Sequence, residues 1–158
     1  MRMNELLPPR YQPQRSLPER AFIPGRGAKP ALNTERMPYL AAEHWRDNAA
    51  YLWGVDLFNH GYAWEAHEAW EGLWRAAKHD DTQATFVQGL IQCAAARVKA
   101  CMGDREAAQR LLGRGLARLS RVHARQGDGY MGLELARCLA EHADSGESGA
   151  RSKLWLKR

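Results

Sequence analysis

Residues 63–74 read AWEAHEAWEGLW and hold three tryptophans, three glutamates and one histidine. Placed on a helix at about 100° per residue, the apolar residues and two polar ones share an arc of about 180°. The polar members of that arc are His67 and Glu71, whereas Glu68 falls outside it and is expected to face water. The stretch therefore predicts an amphipathic helix that turns an imidazole and a carboxylate inward among indole rings.

The helical period continues on both sides of this stretch, and no strand-like alternation of useful length occurs. Turn residues divide the pattern into five predicted helices, at about 38–58, 63–78, 83–102, 104–124 and 130–142. Asp81 or Thr82 is expected to cap the third helix, and Asp104 the fourth. The sequence thus predicts an all-α fold, a compact bundle of about five helices made of two helical hairpins and a short cap helix.

The composition changes at both ends of this predicted domain, which spans residues 39–142. Residues 1–38 contain all seven prolines, which fix φ and remove backbone donors, so we expect an extended proline-rich N-terminal arm. Some of its apolar residues, Phe22, Ile23 and Leu32, are expected to pack on the helices. Residues 143–158 are expected to form a flexible basic tail.

The overall composition is that of one ordinary globular domain, with 45% hydrophobic and 26% charged residues. No run approaches the roughly 18 apolar residues needed to span a bilayer, and the N-terminal stretch lacks the apolar centre of a signal peptide. The three cysteines form no C-x-x-C pair, which argues against a disulfide framework and a cysteine-rich zinc site. We therefore expect a cytoplasmic protein that does not associate with membranes.

The net charge of +5 comes from the two ends, because residues 46–142 balance at twelve bases against twelve acids. Within the fourth predicted helix, five arginines follow a spacing that places them on one face. This basic stripe consists of Arg110, Arg114, Arg118, Arg121 and Arg125. It could bind phosphates, nucleic acid or an acidic protein partner, or simply form a solvated face. Residues 46–81 carry seven acids against three bases, so a second copy of the chain is another partner and a homo-oligomer another outcome.

His67 and Glu71 are one helical turn apart, so their side chains can reach each other or the same ligand. Both could ligate a divalent metal, Glu71 could orient His67 as a general base, or the pair could satisfy each other inside a core. A metal would need further ligands, for which His44, His60, His79 and Cys93 are available without a supporting spacing. The HEAWE sequence also lacks the second histidine of the H-E-x-x-H zinc protease motif.

The third predicted helix carries a second polar pair, Gln88 and Gln92, on a largely apolar surface. If the second and third helices are antiparallel neighbours, these amides could meet His67 and Glu71, with Gly89 allowing a close approach. Alternatively, one or both glutamines reach solvent. The predicted ligand pocket comprises Trp64, His67, Trp70, Glu71, Trp74, Gln88 and Gln92.

The best enzymatic interpretation is a metal-assisted or histidine-based hydrolase with His67 and Glu71 as the candidate catalytic residues. No convincing nucleophile accompanies them, because Ser120 is far along the chain and no cysteine has a motif around it. Whether the protein is an enzyme stays open at this point.

Three segments, LFNHGYAWEAHEAWEGLW, FVQGLIQCAAA and GDREAAQRLL, resemble a known family. Over about residues 45–120 the chain is similar to domain-of-unknown-function family 309, small all-helical proteins of bacteria and archaea. The hallmark of that family, H-x-x-x-E-x-x-(W/Y), is matched by His67, Glu71 and Trp74. The resemblance implies an all-helical fold, an unassigned activity and a metal-binding role for the hallmark. It also implies histidines where this chain has Lys29 and Lys99, and a lysine must lose a proton to bind metal, which weakens that interpretation.

Overall fold

The structure is a computed structural model in which residues 7–31, 37–144 and 152–158 are described. The body consists of five α-helices: α1 Ala49–Asn59, α2 Ala63–Ala76, α3 Asp81–Cys101, α4 Arg105–Gln126 and α5 Leu135–Asp144. Short 3₁₀ helices precede α1 at Ala42–Asp47 and α5 at Tyr130–Gly132. Within the described ranges the extended pairings are isolated bridges and no β-strand forms, so the predicted all-α bundle is confirmed.

The closest helix packing joins α3 and α4, where two glycines face each other. A Cβ added to Gly115 would lie 2.8 Å from the carbonyl oxygen of Gly89, so the two backbones touch where neither residue has a side chain. Gly89 was expected to let α2 approach α3. It admits α4 instead, and the long antiparallel hairpin α3–α4 forms the largest contact of the bundle.

The helix starts follow ordinary capping chemistry. Asp104 Oδ1 accepts a hydrogen bond from Ala107 N at 3.1 Å, as predicted for α4. For α3 the predicted caps, Asp81 and Thr82, are wrong, because Asp80 Oδ1 accepts from the backbone N–H of Gln83 at 3.1 Å. The cap lies one residue earlier than expected, since the helix takes in Asp81 as its first residue.

Two of the predicted helices are interrupted. The first is divided into a 3₁₀ helix and α1, and Asn48 lies between them. The Asn48 side chain accepts a hydrogen bond from Tyr51 N at 3.1 Å and thereby caps α1. An asparagine amide competes with the helical backbone in this way. The fifth breaks after Gly132 because Met131 and Gly132 have positive φ angles, 48° and 75°. Consequently α5 begins only at Leu135.

The end of the chain packs into the bundle. Leu154 and Leu156 are buried, and Asn59 of α1 exchanges two hydrogen bonds with the backbone of Leu154, at 2.8 and 2.7 Å. The expected flexible tail is therefore replaced over residues 152–158 by an anchored segment, because two leucines and a buried amide partner hold it. Residues 145–151 lie outside the described part of the chain.

The N-terminal arm is anchored to α1 by one carboxylate. Asp56 is buried and accepts hydrogen bonds from Arg10 Nε at 3.1 Å and from the backbone N–H groups of Tyr11 and Gln12, both at 2.8 Å. Residues 7–31 form no helix. Asp56 thus fixes where the arm crosses the bundle before it reaches α2.

Candidate functional site

Trp70, which the sequence places in the ligand pocket, is a core residue. Its side chain is fully buried, and its Nε1 donates to the carbonyl oxygen of Tyr51 at 3.3 Å. The indole lies against Gly54, where a Cβ would collide with the ring. Trp70 therefore holds α2 against α1 and is not accessible to a ligand.

His67 lies between two carboxylates of its own helix. Its Nδ1 is 3.4 Å from Glu68 Oε1, and its Nε2 is 3.5 Å from Glu71 Oε1. The side chains of His67, Glu68 and Glu71 are 27%, 32% and 28% exposed. The expected shelter from water is thus only partial, and Glu68, expected to face water, is a close neighbour of the ring. At these distances the contacts are electrostatic rather than good hydrogen bonds.

The two outer tryptophans of α2 already have aromatic or cationic neighbours. Trp64 contacts Phe22 of the arm edge-to-face, with ring centroids 4.7 Å apart. Trp74 carries the Lys78 ammonium 4.7 Å from its ring centroid. The three tryptophans of the quoted stretch therefore have separate surroundings and do not form one wall.

The arm also bonds to the first turns of α2. Phe22 N donates to Glu65 Oε2 at 2.9 Å, and Tyr62 Oη donates to the carbonyl oxygen of Pro18 at 2.7 Å. The other carboxylate oxygen of Glu65 is buried and has no hydrogen-bond partner among the described residues. Phe22 packs on the helices as expected, whereas Leu32 lies outside the described residues.

The two glutamines of α3 do not complete the predicted polar cluster. Gln88 and Gln92 are half-buried, and Gln92 Oε1 has no hydrogen-bond partner among the described residues. His67 Nδ1 also has no hydrogen-bond partner among the described residues. Hydrogen bonds thus do not join the amides to His67 in the part of the chain that the structure describes.

Among the residues that the structure describes, the donor set does not fit a resident metal. Across residues 7–31, 37–144 and 152–158, no group of three or more His, Cys, Asp or Glu side chains could hold a metal ion. Two further ligands considered from the sequence are engaged elsewhere: His79 stacks edge-on against Tyr39 at 4.3 Å, and burial raises the pKa of the Cys93 thiol to about 12. His67 and Glu71 alone supply two of the three or four protein ligands typical of zinc.

Sequence reasoning gave no anchoring role to Asp56, Asn59 or Arg97, although each fixes part of the fold. Arg97 is buried, and its guanidinium lies 3.6 Å from the Phe58 ring centroid. It donates to the carbonyl oxygens of Phe58, at 3.0 Å, and Ser152. Burial lowers its pKa to about 10. The available signal was a polar residue within an apolar helical run, since such a residue needs a buried partner.

The predicted basic stripe lies on the outer face of α4. Four of its arginines are exposed and Arg118 is half-buried. Arg121 and Arg125 border a small cavity of about 150 Å³ together with Asp81 and Thr82 at the start of α3. No ion pair to any arginine of the stripe is present among the described residues.

No helix of the described ranges is both long and apolar enough to cross a membrane. Residues 51–111 match the family model DUF309, a domain of unknown function. The match confirms the resemblance inferred from the sequence and extends from Tyr51 in α1 to the first two turns of α4. Comparisons with curated proteins and with solved structures give no significant match.

Proposed function

We propose that α2 binds a small organic cation, such as a protonated amine, through His67, Glu71 and Trp74. The observation that carries this proposal is the His67 ring, which lies between carboxylates at 3.4 and 3.5 Å while remaining about a quarter exposed. Arg75 approaches Glu71 only at 3.9 Å and is 70% exposed, so it neutralises little of this charge. A ligand ammonium group would form charge-assisted hydrogen bonds with these carboxylates, and such bonds are stronger than those of a neutral ligand.

Trp74 supplies the second part of the proposed site. Lys78 Nζ lies 4.7 Å from its ring centroid, which is the geometry of a cation–π contact. Because Lys78 is exposed, a ligand ammonium can replace it above the ring. An indole face next to a carboxylate selects a positively charged group over a neutral one.

The same residues support a hydrolase less well. Both ring nitrogens of His67 face carboxylates, so the ring has no nitrogen directed at a nucleophile. Ser120 lies exposed on α4, and the Cys93 thiol is buried with its pKa raised to about 12. A binding function therefore fits this surface better than covalent catalysis.

Thermal unfolding with a panel of mono- and diamines, including putrescine, tests the proposal. A saturating amine should raise the Tm by several degrees, since binding at about 100 times Kd stabilises by about 2.7 kcal/mol. His67→Ala and Glu71→Gln should abolish the shift while changing the free energy of unfolding by less than about 1 kcal/mol, because both side chains are partly exposed.

Glu106→Gln, which removes an exposed carboxylate on α4, is the matched control and should keep the full shift. A shift caused by Zn²⁺ or Mn²⁺ alone, and lost in both variants, would replace the amine with a metal. A loss of more than roughly 2 kcal/mol in both variants, with no ligand effect, would identify a structural polar pair.

A second candidate function, binding of nucleic acid, is supported by the arginine stripe. Its five members fall within about 80° of helix surface and extend over about 22 Å. Guanidinium groups without carboxylate partners are well suited to phosphate oxygens. In a fluorescence-polarisation titration, Arg114→Gln combined with Arg118→Gln should weaken binding of a DNA oligonucleotide and lower the slope against log salt by about two.

The exposed Arg75→Gln on α2 removes one arginine outside the stripe, serves as the control and should leave the slope unchanged. If the stripe instead meets residues 46–81 of a second copy, sedimentation will show a salt-sensitive dimer that the double variant abolishes. That outcome would assign the stripe to a homo-oligomer and contradict the nucleic-acid candidate.

A further inference from the structure

The two ends of the described chain enclose a cleft that lies almost wholly outside residues 51–111. Its volume is about 630 Å³, within the range of roughly 300–1,000 Å³ usual for small-molecule sites. The terminal cleft, as we name it, is lined by Pro9, Tyr11, Trp45, Arg46, Leu52, Glu134, Arg137, Trp155, Leu156, Lys157 and Arg158. Four separate segments of the chain therefore contribute to it.

The lining combines flat aromatic surfaces with cationic groups. Arg46 lies 4.3 Å from the ring centroid of Trp45, and Arg137 lies 3.7 Å from that of Trp155. Each guanidinium thus lies on an indole face, and Arg46 also donates one hydrogen bond to the carbonyl oxygen of Arg158 at 3.3 Å. Tyr11 adds a third aromatic side chain to the lining.

The charge of the lining is positive. Among its residues only Glu134 is acidic, and it pairs at 3.6 Å with Arg137, which also bonds Glu141 at 2.9 Å. Arg46, Lys157 and Arg158 form no side-chain ion pair with a described residue. Those three side chains are therefore available to an anion.

The walls are fixed by backbone and side-chain hydrogen bonds. Leu156 N donates to Tyr11 Oη at 2.9 Å, Glu134 N donates to the Trp155 carbonyl at 2.9 Å, and Lys157 N donates to that of Gly132 at 2.7 Å. A site whose walls are already ordered loses less entropy when a ligand binds.

We infer that the terminal cleft binds a small anion that carries a planar ring, with a nucleoside phosphate as the closest chemical match. The ring packs on the half-buried Tyr11 and Trp155, since Trp45 is buried against Gly132. The phosphate accepts charge-assisted hydrogen bonds from Arg46 and from Lys157. A long polyanion is a poorer fit, because the volume suits one drug-sized molecule and the extended cationic surface lies on α4.

Isothermal titration calorimetry at low ionic strength with ATP, adenosine and inorganic phosphate tests this inference. ATP should bind one molecule per chain. Adenosine lacks the anion and phosphate lacks the ring, so each should bind at least about tenfold more weakly. Arg46→Gln and Lys157→Gln should each raise the Kd for ATP by about tenfold, as expected for the loss of one charge-assisted contact.

The single variant Arg75→Gln, which removes one exposed cation of α2, is the control, and it should bind ATP like the unaltered chain. The three substituted side chains are exposed, so thermal unfolding should show that all variants remain folded. Three results would overturn the inference: no binding of ATP, binding lost equally in the Arg75 control, or adenosine binding as tightly as ATP.

Discussion

α2 and the terminal cleft both combine tryptophan with charged side chains, but they differ in charge and in construction. α2 presents three carboxylates and one imidazole from a single helix, whereas the cleft presents arginine and lysine from segments as far apart as Trp45 and Trp155. A site on one helix needs only that helix to be held in place. The cleft exists only when both ends of the chain are docked. The two regions should therefore respond differently when individual anchors are removed.

The largest effect is expected at Trp70, the anchor of α2. Trp70→Ala should lower the free energy of unfolding by about 3–5 kcal/mol, because the indole is fully buried against Gly54 and its Nε1 loses the Tyr51 carbonyl. Trp64→Ala, at a half-buried position, should cost far less. Urea denaturation of both variants measures the difference, and similar costs would contradict the separation of these two rings into core and surface.

The next effect concerns acid stability near the terminal segment. Burial lowers the pKa of His142 to about 4, against about 6.5 in the unfolded chain, so the unfolded state binds more protons between these values. Stability is therefore complete above about pH 6.5 and falls as the pH drops to about 4, by up to about 3 kcal/mol. His142→Phe should flatten this part of the profile. An unchanged acid slope in denaturation of the variant would show that another group is responsible.

A smaller effect on stability but a selective effect on binding is expected at Asn59. Asn59→Ala removes two hydrogen bonds to Leu154 and should cost about 2 kcal/mol. Because residues 152–158 then lose one of their anchors, ATP binding in the terminal cleft should weaken several-fold while the amine-dependent Tm shift at α2 persists. Gln109→Ala, an exposed amide on α4, is the control for both measurements. Equal loss of both ligands would mean that the two regions are not independent.

Much of the bundle could be predicted because local signals determine it. Asp104 caps α4, and Gly61 and Gly103 adopt positive φ at the helix corners. Each of these features depends only on residues that are close together in the sequence. The breaks at Asn48 and Met131 could not be predicted in this way. An asparagine or methionine inside a helical pattern is compatible with a helix, and tertiary packing decides whether the chain turns there.

The candidate sites show the same division. The i, i+4 spacing correctly placed His67 and Glu71 on one side of α2. The spacing could not show how deeply each side chain is buried, because a helical wheel gives only the side of the helix on which a residue lies. It therefore did not distinguish the buried Trp70 from the half-buried Trp64 and Trp74. The terminal cleft was missed altogether. Its one local signal, Leu154, Trp155 and Leu156 within a basic end segment, was too short to predict that this segment packs.

The hydrogen bond from Leu156 N to Tyr11 Oη joins residues separated by 145 positions. During synthesis Tyr11 leaves the ribosome long before its partner exists, so it must wait until the next 145 residues have been translated. The α3–α4 hairpin, whose contacts are local, has no such delay. The cleft consequently forms later on a growing chain than that hairpin, and a nascent polypeptide lacks it until residue 156 has emerged.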